Sequence, residues 1–240
     1  MPARFFVDRP LAPGEPFDLP ASAARHVQVL RLQPGSVITL FDGTGGEWAA
    51  TVLQMGRNNV SVQLGLHTRS NRELGMPITL ALGMPANERM DTVIEKATEL
   101  GASAVQPLVC ERSVLRPSGE RAQKKVVHWQ AVALAASEQS GRTRVLQVAP
   151  VRPLTEWLRG LEADDRARWM LSFDAASPLA LHMAPRAGVV SLSGPEGGLS
   201  PAEEALARTA GFTAISLGAR VLRADTAPLA LLAHLSIATA

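Results

Sequence analysis

The sequence has little with which to build covalent cross-links or metal sites. Cys110 is the only cysteine in 240 residues, so one chain can form neither an internal disulfide nor a cysteine-built metal centre, which suits a reducing compartment. The five histidines show no His-Glu-x-x-His spacing, which removes the zincin signature, and no metal is expected. Nowhere do about 18 uncharged apolar residues run together; no membrane span is expected. Met1 to Pro10 contain Arg4, Asp8 and Arg9 rather than an apolar stretch of signal-peptide length, and the expected location is the cytoplasm. Lysine is scarce as well: 21 of the 24 basic residues are arginine. The planar guanidinium suits phosphates and stacked bases, although a GC-rich genome that replaces lysine by arginine would leave the same composition.

What is present is enough for a folded protein with one large domain or two small ones, since 46% of the residues are hydrophobic. Net charge is only +2, and its distribution is uneven. Residues 1–72 hold seven Arg against five acidic residues, whereas residues 73–240 hold 17 of each sign. The excess sits in the N-terminal third.

Two patterns divide the chain. Residues 37–41, 48–52 and 60–64 are short β-rich runs, the first two separated by Asp42-Gly43-Thr44-Gly45-Gly46, and they predict a hairpin and a further strand of a small barrel. Ala21 to Leu32 has helical spacing and would leave Arg25, His26 and Arg31 together or nearly so. A polar stretch from Thr68 to Met76 follows, and then strands alternate with helices. Strands are expected at 78–82, 104–110, 169–173, 189–193 and 214–217. Helices are expected from Asn87, as N-cap, to Leu100, and at 120–140, 154–161, 201–210 and 225–238. Such alternation implies a parallel sheet covered by helices, with ligands at the carboxyl ends of its strands.

Three segments carry candidate chemistry. Leu192 to Pro201 (Leu-Ser-Gly-Pro-Glu-Gly-Gly-Leu-Ser-Pro) lies between a predicted strand and a predicted helix, and its glycines let backbone approach a ligand. Ser200, Pro201 and Glu203 read as a capping box with proline at the first helical position. No Gly-x-Gly-x-x-Gly and no P-loop lysine occurs; an ordinary strand-to-helix turn remains open on the segment alone. Ser216 to Ala227 is a second strand end, where Arg220 and Arg223 flank Leu217, Val221 and Leu222, a setting for an adenine ring or simply a solvated helix entry. In the third segment, Glu138 to Arg142 place a carboxylate, an amide and a guanidinium at the end of the long helix.

Together these segments resemble the 16S ribosomal RNA uracil-N3 methyltransferases of the SPOUT superfamily. The resemblance rests on Glu138-Gln139-Ser140-Gly141-Arg142, Gly194-Pro195-Glu196-Gly197-Gly198 and Leu217-Gly218-x-Arg220-Val221-Leu222-Arg223. Further matches are Arg4-Phe5-Phe6, His26 with Leu30-Arg31, Lys96-Ala97-Thr98-Glu99-Leu100-Gly101 and Glu111-Arg112-Ser113. Three positions depart from the pattern. Asp225 stands where glutamate is common, Ala86-Asn87-Glu88 replaces Lys-Gly-Asp ahead of Arg89, and His128 replaces a frequent arginine.

The resemblance implies an α/β fold in two parts. Residues 1–70 would form a small PUA-like RNA-binding β-barrel and residues 75–240 a SPOUT domain, with a parallel sheet and a C-terminal trefoil knot. It implies S-adenosylmethionine as cofactor, 16S rRNA or the small ribosomal subunit as partner, and a homodimer. The cofactor bed would comprise Phe173, Leu192, Gly194, Pro195, Glu196, Gly197, Gly198, Leu217, Gly218, Val221, Leu222 and Arg223. Uridine N3 is an imide that becomes nucleophilic as its proton leaves, so the reaction calls for a base, with Glu138 as candidate, and for cations, with Arg142, Arg220 or Arg223 as candidates. Arg4, Arg25, His26, Arg31, Arg89 and Arg112 are the candidate RNA contacts. Two alternatives stay open: ribose 2′-O methylation, which predicts a Ser-Leu-Asn-Val-Ser-like final loop, and a non-catalytic RNA-binding protein.

Overall fold

The computed structural model describes residues 2–57, 59–86, 89–173, 177–179 and 185–238. It resolves into two compact units. One comprises Met1–Glu73 with Ser137–Val145, the other Leu74–Ala136 with Leu146–Ala240.

In the first unit a five-stranded sheet has the order β1 (Arg4–Phe6), β3 (Val37–Phe41), β4 (Glu47–Met55), β5 (Val60–Thr68), β2 (Phe17–Asp18). The β3–β4–β5 meander is antiparallel and β1 joins β3 in parallel, Phe5 opposite Leu40. Alternation decides which side chains go inside: Ile38 and Leu40 of β3, Ala50 and Val52 of β4, and Val60 and Val62 of β5 are buried with Phe5 and with Val27 of helix α1 (Ala21–Val29). Register shifts between Trp48 and Ala50 and between Val52 and Gln54 bend β4, as bulges do in curled sheets. At the β3–β4 turn the Asp42 carboxylate accepts from the Leu11 and Thr44 N–H groups and the Thr44 hydroxyl. Desolvation opposes its charge, but these bonds prevail and hold its pKa below the usual value.

Helix α1 is shorter than the periodicity predicts. Arg31 takes φ 54°, a left-handed conformation that stops the helix. The strands β1 and β2, of three and two residues, have no periodic signature and were not predicted.

The second unit is built on an eight-stranded sheet. Seven strands run β11 (Ser177–Pro178), β13 (Thr213–Ser216), β10 (Ala167–Leu171), β12 (Val189–Ser193), β6 (Ile78–Gly83), β7 (Ala104–Val109), β8 (Gln147–Val148), and β9 (Arg152–Pro153) also pairs with β7. Every pairing is parallel. A parallel sheet needs cover on both faces. One face packs under α2 (Arg89–Glu99) and α6 (Thr226–Ala238), in a core that includes Ile78, Leu80, Ile94, Leu231 and Leu235; the other, with Ala81, Leu192 and Met170, packs against α4 (Leu154–Arg159) and its neighbours Ala207 and Phe212. Helix α3 (Gly119–Ser140) contributes Trp129, whose indole N–H donates to Asp91 Oδ1 at 3.1 Å. His128 lies 2.7 Å from the other oxygen of the same carboxylate, so the histidine at this departure from the family pattern joins two helices. Helix α2 ends where Gly101 takes φ 91°, as a C-terminal glycine should. Asn87, expected as its N-cap, lies outside the described residues.

Candidate functional site

Strands β13, β10 and β12 are neighbours, so the segments leaving their carboxyl ends converge. They line a cavity of about 520 Å³ in the second unit, within the usual size of small-molecule sites.

The first wall is the glycine-rich segment after β12. A Cβ on Gly194 would fall 2.6 Å from Leu199 N and 2.7 Å from the Gly198 carbonyl carbon. The backbone therefore folds back on itself at a distance no other residue allows. Beneath it, a Cβ on Gly83 would fall 2.5 Å from Pro195 Cδ. Gly198 N–H closes the turn onto Pro195 O at 2.8 Å, and Ser200 then caps α5 (Pro201–Thr209) in the expected capping box with Glu203.

Side chains tie this loop down from outside. Arg112 donates to Gly197 O at 2.9 Å and to Leu199 O at 3.3 Å. Glu196 accepts from Ala86 N–H at 2.9 Å and lies 3.6 Å from Arg89. The buried Glu203 accepts with one oxygen from Glu111 N–H at 2.8 Å and with the other from Ser200 N–H at 2.9 Å. Nearby, burial first and the Glu203 charge second push the Cys110 thiol up to about 12, against the Ser113 hydroxyl. It stays protonated, an inert side chain rather than a nucleophile.

The second wall runs from Ser216 to Ala227. Gly218 takes φ 109°, and the Ser216 hydroxyl accepts from its N–H. Arg223 O accepts from the Thr226 and Ala227 N–H groups at the start of α6. Leu217 and Leu222 are half-buried, Val221 is 80% exposed, and the exposed side chains of Arg220 and Arg223 also face the cavity. The third wall is Ser172 and Phe173 after β10. Phe173 is 66% exposed, and Ser172 donates to Glu204 Oε1 at 3.1 Å. Apolar surface, close backbone and arginines in the lining suit a flat, partly polar ligand with an anionic group. Among the described residues no cluster of three His, Cys, Asp or Glu side chains could hold a metal ion.

Of the candidate cofactor residues, Phe173, Gly194, Pro195, Glu196, Gly197, Gly198, Leu217, Gly218, Val221, Leu222 and Arg223 line this cavity; Leu192 faces the core on the α5 side instead. Arg89 and Arg112, candidates for RNA, line it too. Ser172, Ser193 and Glu204 were not singled out from the sequence, although a serine at the end of an otherwise apolar strand was a readable signal.

The other candidates belong to the first unit. Glu138 Oε1 accepts from Phe6 N–H at 2.9 Å, and its other oxygen lies 3.6 Å from His26 Nδ1. Burial raises its pKa above the usual glutamate value, despite the Phe6 bond and the charges of His26 and Arg4. Arg142 is buried and bound through its guanidinium to Glu73. Arg4, 7% exposed, pairs with Glu47 and donates to Gly141 O and Arg142 O. Arg25 and Arg31 are exposed.

Comparison with known proteins agrees with this architecture. A family model described as an RNA methyltransferase domain matches residues 72–236, and one described as an RNA methyltransferase PUA domain matches residues 19–65. The chain is 32% identical to the ribosomal RNA small subunit methyltransferase E of Bacillus subtilis over 234 residues, 93% of this chain and 90% of that one. It is 35% identical to the Synechocystis protein of the same name, over 87% of this chain and 68% of that one. A crystal structure of the Neisseria gonorrhoeae ribosomal RNA small subunit methyltransferase E bound to S-adenosyl methionine superposes with a TM-score of 0.92 at 36% identity, covering 98% of this chain and 97% of that one. Its glycine-lined cavity at three parallel strand ends, its PUA segment and these relatives give one answer: the chain belongs to the ribosomal RNA small subunit methyltransferase E family.

Proposed function

We propose that this protein transfers a methyl group from S-adenosylmethionine to N3 of one uridine in the decoding region of 16S rRNA, acting on the assembled small ribosomal subunit. The observation that carries the reading is the cavity at the ends of β10, β12 and β13, in a chain whose family is an rRNA methyltransferase family. The residues fit the cofactor. Gly194 and Gly83 leave no room for a Cβ because the loop's own backbone and Pro195 fill that space, which fixes the shape of the loop that lines the cavity, while Leu217, Val221 and Leu222 offer apolar surface for an adenine ring beside Arg223.

When bound, the cofactor supplies an electrophilic methyl group on a sulfonium. The chain's own task is to hold the uridine in line and to manage the N3 proton. Arg220 and Arg223 are placed at the cavity to stabilise negative charge on the uracil oxygens as the proton leaves. Glu138 is the proposed base, since burial shifts its carboxyl in the direction a general base near neutral pH requires. Arg142, the other candidate charge stabiliser, is buried and paired with Glu73.

Residues 1–70 form the proposed RNA-binding barrel and residues 75–240 the knotted methyltransferase domain, with the trefoil threading at the two cavity loops. Arg25, His26 and Arg31 are the proposed phosphate contacts, since all three are exposed. Arg4, Arg89 and Arg112 hold protein groups and act on RNA only through the surfaces they brace. The active form is a cytoplasmic homodimer. Disrupting the gene in its host and digesting the 16S rRNA to nucleosides tests the reading. Loss of one 3-methyluridine, restored by the gene in trans, is expected; an unchanged 3-methyluridine content contradicts it.

A further inference from the structure

The geometry points to Ser193 as a cofactor-binding residue whose hydroxyl forms a hydrogen bond with a polar atom of S-adenosylmethionine. This rests on the cofactor reading above.

Ser193 ends β12 directly before Gly194, and all five residues of that strand are buried. Along the strand Val189, Ser191 and Ser193 share one face, and Val189 packs in the core formed with α6. A serine in such a place keeps its hydroxyl only with a partner, because a buried, unbonded hydroxyl costs about 1–3 kcal/mol. Ser191 has one, donating to Thr79 O at 3.5 Å. Of the three serines that line the cavity, Ser172 bonds to Glu204 and Ser216 to Gly218. Ser193 is 3% exposed, lines the same cavity, and its Oγ has no hydrogen-bond partner.

The unmet group therefore sits in the cavity lining at the buried end of β12. A hydroxyl can both donate and accept, so it can serve a ring nitrogen, a ribose hydroxyl or a carboxylate oxygen of the cofactor. It acts in binding, and the proton on uridine N3 does not involve it.

Two readouts move in opposite directions if this is right. In Ser193→Ala, S-adenosylmethionine binding measured by calorimetry should weaken about five- to tenfold, as for one net hydrogen bond. The melting temperature of the ligand-free variant should equal or exceed that of the parent, because no bond within the protein is lost. Ser193→Cys, which keeps the shape with a somewhat larger atom but bonds weakly, should lose affinity without losing stability, and it decides the matter if the alanine variant does not fold. Unchanged affinity in the folded variants overturns the proposal, and so does reduced affinity accompanied by a lower ligand-free melting temperature, which would mark a purely structural serine. A parent protein that binds no S-adenosylmethionine overturns both this inference and the cofactor reading.

Discussion

Two glycines four residues apart in the cavity loop are held in place by different forces. At Gly194 the obstacle is space, with backbone atoms 2.6 and 2.7 Å from any added Cβ; at Gly198 it is conformation, φ 69° with nothing within 4 Å. Gly194→Ala is expected to destabilise the protein by about 1–3 kcal/mol, as overpacking does, and to abolish measurable cofactor binding. Gly198→Ala should cost only about 1–2 kcal/mol, the left-handed penalty, and retain weakened binding. Denaturant titration and calorimetry on both variants check the ordering; equal effects would contradict it. Glu138 gives a pH-dependent counterpart. Its folded-state pKa lies above the ordinary 4.5 because of burial, so it supports folding while protonated and that support fades as pH rises through the folded value. Glu138→Gln keeps an acceptor for Phe6 N–H and cannot ionise. Its stability relative to the parent should therefore rise with pH from below 4.5 to neutrality. A difference that does not vary with pH would contradict the burial of this carboxyl.

The elements that place the site are fastened by backbone groups as much as by cores. Glu203 accepts from both Ser200 N–H and Glu111 N–H, so it ends one helix and anchors the segment after β7. Glu203→Gln puts an NH2 against one of those donors and should lower stability by about 1–3 kcal/mol. Ser200→Ala, which removes only the cap, should cost about 1 kcal/mol; chemical denaturation separates the two. This capping box was legible in Ser200-Pro201 and Glu203, as were the long strands and helices, because each carries a period of 2 or 3.6 over several turns. The two- and three-residue strands β1, β2, β8, β9 and β11 were not, since pairing partners and not periodicity make them strands. At the site, glycines and arginines announced the loops, but the sequence could not show which arginines are occupied. Arg4, Arg112 and Arg142 find protein partners, and only three-dimensional proximity to Glu47, Gly197 and Glu73 reveals it.

At the scale of the whole molecule, charge distribution and assembly have consequences that can be measured. The net excess of arginine lies in residues 1–72, so binding to rRNA should weaken steeply with salt, and charge reversal at Arg25 and Arg31 should weaken it without altering cofactor affinity. Light scattering should give about 51 kDa, twice the 25.5 kDa chain, as for a two-fold dimer; a monomer mass at working concentration would contradict the assembly. The central claim is a transfer of one methyl group to one atom. Small ribosomal subunits lacking their base methylations, incubated with this protein and labelled S-adenosylmethionine and then digested to nucleosides, should yield label in 3-methyluridine alone. Label recovered on a ribose 2′-oxygen, or no label from a protein that binds the cofactor, would contradict it.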